Sequence, residues 1–110
     1  MEILRQEQLP WSEIAHELVG AEHGLGITVL FVDAGLAGGP ALHRHPYDEI
    51  FIVQAGQATF TIDGEQHEAS AGDILIARVR QAHAFVNSGS GPLRQIDIHM
   101  SPTFSTEWLE

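Results

Sequence analysis

The sequence predicts an all-β domain, an antiparallel β-sandwich or β-barrel, and two observations support this prediction. Short runs of β-branched and apolar residues recur along the chain, and glycine and other turn residues separate them at short intervals. No long helical pattern lies between these runs, which argues against the crossover helices that a parallel sheet needs. Short strands joined by tight turns are typical of antiparallel sandwiches and barrels.

The expected strands follow one another in regular order. They are residues 27–33, 49–54, 57–62, 65–69, 73–77, 84–87 and 93–99. Asp63 and Gly64 separate the third run from the fourth, and Asp-Gly is the strongest hairpin signal in the chain. The two ends are ambiguous. Residues 11–19 are compatible with a short helix or a strand, and residues 105–110 with a helical turn or a packing arm.

Length and composition limit the function classes. The 110 residues suit one domain, and 44% hydrophobic against 18% charged residues describes an ordered protein. The chain has no cysteine and no lysine, which excludes thiolate metal sites, Cys nucleophiles and Schiff-base chemistry. A formal net charge of −10 disfavours binding to nucleic acid or anionic membranes. With neither a signal peptide nor a membrane-length apolar stretch visible, we expect a cytoplasmic protein.

One segment concentrates possible metal ligands. His43, His45 and Glu49 have odd numbers, so their side chains project to the same face along extended backbone, with neighbours roughly 6.5–7 Å apart. Pro46 lacks an N–H and disfavours helix at the preceding residue, which fits an edge or a bend. A mixed set of imidazoles and a carboxylate suits Fe, Mn, Ni, Zn or Cu and matches calcium poorly.

A second segment, residues 72–87, adds another histidine at a matching place, and with it the chain resembles the cupin superfamily. The first cupin motif is written G(x)5HxH(x)3-4E(x)6G and the second G(x)5PxG(x)2H(x)3N. The residues that match are His43, His45, Glu49 and Gly56 in the first motif, and Gly72, His83 and Asn87 in the second. Three positions depart from the motifs: Ala37 and Arg80 replace glycines, and Arg78 replaces the proline.

The resemblance implies one conical antiparallel β-barrel over residues 1–110, a jelly-roll-like double-stranded β-helix. Its first motif covers about residues 38–56 and its second about residues 72–87. The implied cofactor is one divalent transition metal (Fe, Mn, Ni, Zn or Cu), and the implied ligands are His43, His45, Glu49 and His83. In an octahedral ion these ligands leave two positions open for water or substrate. A tetrahedral zinc would be fully satisfied by them, so a structural metal is the alternative.

Further residues near the expected ligands are candidates for catalysis or for the pocket wall. Tyr47 lies between two ligands in the sequence and is either a hydrogen-bond donor at the site or an aromatic wall. Alternation along residues 93–99 separates Gln95, Asp97 and His99 from the isoleucines. We favour solvent for this polar face; turned inward, it would make His99 a candidate acid–base group. The expected pocket-lining residues are Phe51, Val53 and Phe85.

Three functions are compatible with this sequence. The first is a metal-dependent enzyme, of dioxygenase, isomerase or lyase type, acting on a small organic molecule, with an aromatic pocket favouring an apolar ligand. The second is a non-catalytic sensor or carrier that binds a small molecule or a sugar through the metal, and the third is a barrel with a purely structural metal. We also expect a homodimer, since both ends carry apolar residues able to cover a sheet edge: Ile3, Leu4, Leu9, Trp11, Phe104, Trp108 and Leu109.

Overall fold

The computed structural model describes residues 1–110 and confirms the all-β fold class. Its eleven strands are β1 (Trp11–Ser12), β2 (Ala15–Leu18), β3 (Thr28–Ala34), β4 (His43–Arg44), β5 (Glu49–Ala55), β6 (Gln57–Ile62), β7 (Glu65–Ser70), β8 (Ile74–Ala77), β9 (His83–Asn87), β10 (Leu93–His99) and β11 (Glu107–Trp108). Helical structure is limited to two 3-10 turns, Gln6–Gln8 and Gly20–His23. No helix has the length and apolarity that crossing a membrane requires.

Two antiparallel sheets enclose the interior. Six strands form one sheet in the order β1-β2-β3-β10-β5-β8, and five form the other in the order β11-β4-β9-β6-β7. Phe51, Phe60 and Phe85 come from β5, β6 and β9 and are at most 5% exposed. Their ring centroids lie 5.0–6.2 Å apart, mostly edge to face, so the aromatic residues join the two sheets.

The structure settles the local ambiguities of the sequence. Residues 11–19 contain the short hairpin of β1 and β2, in which Trp11 pairs with His16. The C-terminal tail is an arm, because β11 adds to the edge of β4 by backbone pairing. The hairpin between β6 and β7 is confirmed, and Asp63 and Gly64 both adopt positive φ angles, 49° and 80°.

The orientation we favoured for β10 is wrong. Gln95, Asp97 and His99 point into the barrel and are 1%, 2% and 3% exposed, whereas Ile96 and Ile98 lie on the outer face. β10 pairs with β3 on one side and β5 on the other, so its register is determined on both edges. The polar face turns inward because the interior at this end of the barrel is lined by other polar groups.

Candidate metal centre

The four predicted ligands converge in the interior. The donor atoms of His43, His45, Glu49 and His83 all lie within 4.8 Å of one another, and all four residues are buried. His43 and His83 are direct partners across the β4–β9 ladder, which brings the two sequence motifs together. Glu49 begins β5 in the opposite sheet. The cluster therefore spans both sheets.

Each histidine of this cluster is held in one orientation by a backbone carbonyl. Nδ1 of His43 lies 2.7 Å from the oxygen of Ala41, and Nδ1 of His83 lies 2.8 Å from that of Gln81. Nδ1 of His45 lies 2.9 Å from the oxygen of Ser105. A carbonyl only accepts, so each Nδ1 carries the proton and each Nε2 keeps its lone pair when the ring is neutral. This is the tautomer that metal-ligating histidines use.

The carboxylate of Glu49 contacts the imidazole rings of His45 and His83. Its Oε1 lies 3.1 Å from Nε2 of His45 and 3.2 Å from Nε2 of His83. Burial raises the pKa of Glu49, but the imidazoles of His45, His83 and His99 outweigh burial and hold this pKa well below its usual value. The carboxylate is therefore ionised, which is the form that binds a cation.

The histidines differ in their affinity for protons. Burial lowers the pKa of His43 to about 4, so this ring is neutral at physiological pH. For His83, burial also lowers the pKa, but the contacts with Glu49 and with the carbonyl of Gln81 outweigh it and raise the pKa above its usual value. In the metal-free protein, the ionised carboxylate of Glu49 thus favours a proton on His83, and a metal would displace that proton.

The donor set fits a divalent transition metal. Three imidazole nitrogens and one carboxylate are the ligand types that Fe, Mn, Ni, Zn and Cu accept. Nε2 of His45 is buried and has no hydrogen bond of acceptable geometry, although it lies close to Glu49. A cation between these groups would satisfy that buried atom, since native proteins rarely leave one without a partner.

Two side chains outside the four candidate ligands, Tyr47 and His99, form a chain of contacts that ends at Glu49. The hydroxyl of Tyr47 lies 2.8 Å from Nδ1 of His99, and Nε2 of His99 lies 3.2 Å from Oε2 of Glu49. The backbone N–H of Ser105 donates to the same hydroxyl at 3.4 Å. The ring of Tyr47 also stacks on His45, with centroids 4.9 Å apart. Both predicted catalytic candidates, Tyr47 and His99, therefore contact residues of the candidate ligand cluster.

A cavity of about 540 Å³ opens beside the cluster. Its wall includes His43, His45 and Glu49 among the four candidate ligands, and His99 among the catalytic candidates. The wall also includes acidic and apolar residues: Glu13, Glu17, Leu30, Val32, Phe51, Phe85, Asp97, Phe104 and Trp108. Phe51 and Phe85 both line this cavity. Val53 does not line the cavity but packs in the core, where it is 1% exposed.

Asp97 is a polar residue of the cavity wall that our sequence analysis assigned to the surface. Its Oδ1 accepts a hydrogen bond of 2.8 Å from Nε2 of Gln95. Burial, with the negative charge of Glu49 nearby, raises the pKa of Asp97 well above its usual value. The signal in the sequence was the alternation of polar residues with Ile96 and Ile98, which leaves the choice of face open.

The C-terminal segment completes the site from outside. Trp108 lies against His43, with ring centroids 5.0 Å apart, and Phe104 against His99 at 5.1 Å. Arg44 binds both carboxylate oxygens of Glu107, at 2.6 and 3.0 Å, and so holds β11 on β4. Residues distant in sequence thus support the ligands through side chains and the carbonyl of Ser105.

The two residues that replace glycines in the cupin motifs still adopt the left-handed backbone conformation that glycine favours. Ala37 and Arg80, which stand at the glycine positions, have φ angles of 60° and 61°. These angles lie in the left-handed region that glycine adopts without strain. The backbone N–H of Arg80 donates to the carbonyl of His45 at 2.7 Å, which links the two motifs. Arg78 faces Asp48, with Nη1 3.5 Å from a carboxylate oxygen.

Comparison with protein families agrees with this geometry. The family model described as "Cupin domain" matches residues 30–99, which include all four candidate ligands and most of the barrel. The chain belongs to the cupin family. The predicted resemblance is confirmed.

Solved structures share this cupin fold. An uncharacterised conserved protein with a double-stranded β-helix domain from Klebsiella pneumoniae is 23% identical, with a TM-score of 0.81, over 100% of this chain and 98% of that one. The oxalate decarboxylase of Bacillus subtilis, described with Mn(II) centres, is 24% identical, with a TM-score of 0.79, over 94% of this chain and 30% of that one. The oxalate decarboxylase of Lactobacillus farciminis, in a formate complex, is 20% identical, with a TM-score of 0.78, over 91% of this chain and 32% of that one. This cupin spans about a third of either decarboxylase chain.

Proposed function

We propose that this cupin is a metal-dependent enzyme that acts on a small organic molecule. One observation carries the proposal: a cavity of about 540 Å³ reaches three of the four candidate ligands, His43, His45 and Glu49. Structural metal sites are closed by their protein ligands, whereas catalytic sites keep a position open to a substrate. A cavity of this size matches those that take small-molecule ligands.

A divalent metal at this site would supply Lewis acidity or, as iron, redox chemistry with O2. The protein's own residues provide the surroundings. The three Nδ1 hydrogen bonds orient His43, His45 and His83, and Phe51 and Phe85 exclude water from the inner wall. Such orientation before binding is what a reaction at a metal requires.

His99 would donate or accept a proton at the cavity wall, and Tyr47 would position it. His99 lines the cavity, and its buried Nε2 lies 3.2 Å from Oε2 of Glu49 without a hydrogen bond of acceptable geometry. A bound substrate within reach would give this atom a partner, which is the requirement for a general acid or base. Tyr47 does not line the cavity and contacts Nδ1 of His99, so it acts as a positioning residue.

The reaction type we favour is oxidation by O2, of dioxygenase type, with isomerase and lyase reactions as alternatives. The oxalate decarboxylase of Bacillus subtilis, described with Mn(II) centres, supports metal chemistry on this fold. Its low identity leaves substrate and reaction to experiment. A sensor or sugar-binding protein would bind ligand without turnover, and a structural metal would leave no position open.

Elemental analysis of untagged protein, purified without added metal, tests the proposal together with the variant His83→Ala. We expect about one equivalent of a transition metal in the wild type and its loss in the variant. The exposed residue His67 provides the matched control, His67→Ala, which should retain the metal. Iron would be followed by oxygen uptake with aromatic diols and diketones. If the wild type holds no metal even after reconstitution with each ion, the proposal is refuted.

We further propose a homodimer. The outer face of the six-stranded sheet carries four partly exposed isoleucines in its central strands: Ile50, Ile52, Ile96 and Ile98. The outer face of β6 and β7 carries Thr59, Thr61, Gln66 and Glu68 instead. A second copy on the apolar sheet would remove the isoleucines from water, and two-fold pairing is the commonest arrangement of oligomers. Phe104 and Trp108 contact His99 and His43 of their own chain and remain 38% and 60% exposed.

A further inference from the structure

We propose that the cavity takes a molecule with an apolar, ring-sized body and at most one negative charge, and that it discriminates against dicarboxylates. This inference rests on the proposed function, because it describes the ligand of the same metal site. It separates this cupin from the oxalate enzymes that share its fold. Three features of the cavity carry it: the charge of its wall, its apolar surface and one buried carboxyl group.

Apart from the histidines, the ionisable residues of the wall are all acidic. Glu13, Glu17, Glu49 and Asp97 line the cavity, and none of the five arginines does. Arg44 is bound to Glu107 outside the cavity, and the chain has no lysine that could take its place. A divalent ion beside the Glu49 carboxylate retains one net positive charge, which one carboxylate of a ligand would neutralise. A second carboxylate would lie among acidic and apolar groups without a cation, and such burial is unfavourable.

The apolar wall offers room for a ring. Leu30, Val32 and Phe51 come from the six-stranded sheet and Phe85 from the five-stranded sheet, while the exposed Trp108 lies at the outer rim. A cavity of about 540 Å³ accommodates much more than a two-carbon acid. An aromatic or similar body would bury apolar surface on both sides, and this burial is the main source of affinity in such sites.

Asp97 provides a polar contact for this body. It lies between Gln95 and His99 on the inner face of β10, and its side chain has one hydrogen bond, from Gln95 to Oδ1. Its second oxygen remains for a hydroxyl or N–H group of the ligand. A buried polar group of this kind selects ligands that can hydrogen-bond and disfavours those that repel it.

The test uses protein loaded with Co(II) and three probes that share one metal-binding group: acetohydroxamic acid, benzohydroxamic acid and 4-carboxybenzohydroxamic acid. Titration of the Co(II) visible spectrum gives the dissociation constants. We expect benzohydroxamic acid to bind about tenfold or more tightly than acetohydroxamic acid, because the phenyl group enters the apolar cavity. The added carboxylate should weaken binding by about tenfold or more, because it finds no cation there.

The two tryptophans provide matched variants. Trp108 lines the cavity and is 60% exposed, whereas Trp11 is 51% exposed and does not line it. Trp108→Ala should weaken the binding of benzohydroxamic acid about fivefold more than it weakens the binding of acetohydroxamic acid. Trp11→Ala should change neither probe. Phe104→Ala offers a second rim variant if Trp108→Ala disturbs β11.

Metal analysis after each titration separates two kinds of failure. If the protein retains Co(II) but binds 4-carboxybenzohydroxamic acid at least as tightly as benzohydroxamic acid, the inference is wrong and the proposed function stands. Equal affinities for acetohydroxamic and benzohydroxamic acid would also overturn it. If the protein retains no Co(II) under any condition, the proposed function fails, and the inference fails with it.

Discussion

Nε2 of His99 lies 3.2 Å from Oε2 of Glu49, across directly paired positions of β10 and β5. The other oxygen of Glu49 faces His45 and His83, so one carboxylate contacts His99 and two candidate ligands. Tyr47 binds the far side of His99. The orientation of the metal-binding carboxylate therefore depends on two residues that are not candidate ligands.

The variant Tyr47→Phe tests this dependence. Its ring would keep the stacking on His45, so the change removes only the hydroxyl that contacts His99 and accepts from Ser105. We expect the metal affinity to fall by roughly tenfold, as for other residues that orient metal ligands. Competition with a chromophoric chelator measures this affinity. A purely structural role for Tyr47 would lower the melting temperature and leave the metal affinity unchanged.

Removal of the metal should weaken the fold without abolishing it. Eleven buried apolar residues and 61 backbone hydrogen bonds remain in place when the cluster is empty. We expect metal at a hundredfold excess over its dissociation constant to raise the free energy of unfolding by about 2.7 kcal/mol. Urea denaturation with and without chelator measures the difference, which His83→Ala should eliminate. A chain that unfolds on chelation alone would favour the structural-metal alternative.

Arg80→Gly should stabilise the protein. Arg80 is exposed and has a φ angle of 61°, and left-handed backbone costs a non-glycine residue roughly 1–2 kcal/mol. The greater freedom of glycine in the unfolded chain offsets about 0.5–1 kcal/mol of this gain. We expect a net increase of about 0.5–1 kcal/mol in the free energy of unfolding, measured by urea denaturation. Arg80→Ala, which keeps a Cβ, should not increase the free energy of unfolding. An equal increase in both variants would contradict the explanation by backbone strain.

Asp97→Asn should change how stability depends on pH. Burial raises the pKa of Asp97 in the folded, metal-free protein above its value of 3.8 in the unfolded chain. As the pH rises from about 4, the unfolded chain ionises first, so the free energy of unfolding falls. The variant carries no titrating group at this position and should lose less stability between pH 4 and 8. Denaturation curves across this range measure the difference between the two proteins, and a difference independent of pH would contradict the assignment.

Light scattering tests the homodimer. The 12.0 kDa chain should scatter as a particle of about twice that mass. Ile96→Glu, on the outer face of the six-stranded sheet, should yield the monomer because a charge in the centre of the interface has no partner. Val86→Glu is the matched control on the outer face of β9 in the other sheet, where Val86 is 37% exposed, and should remain dimeric. A wild type that scatters as a monomer would end the proposal.

The strands, the Asp63-Gly64 hairpin and the candidate ligands could be predicted from the sequence, because each depends on local periodicity or on spacing. His43, His45 and Glu49 share a face through the alternation of extended backbone, and the resemblance of residues 72–87 to the second cupin motif implies His83. Tertiary structure decided what local rules leave open. The alternation in β10 separates Gln95, Asp97 and His99 from the isoleucines equally well with either face inward, and pairing with β3 and β5 selects the face. The contacts of Tyr47 with His99 and of His45 with Ser105 join residues more than 50 positions apart, and only the folded chain brings them within hydrogen-bond distance.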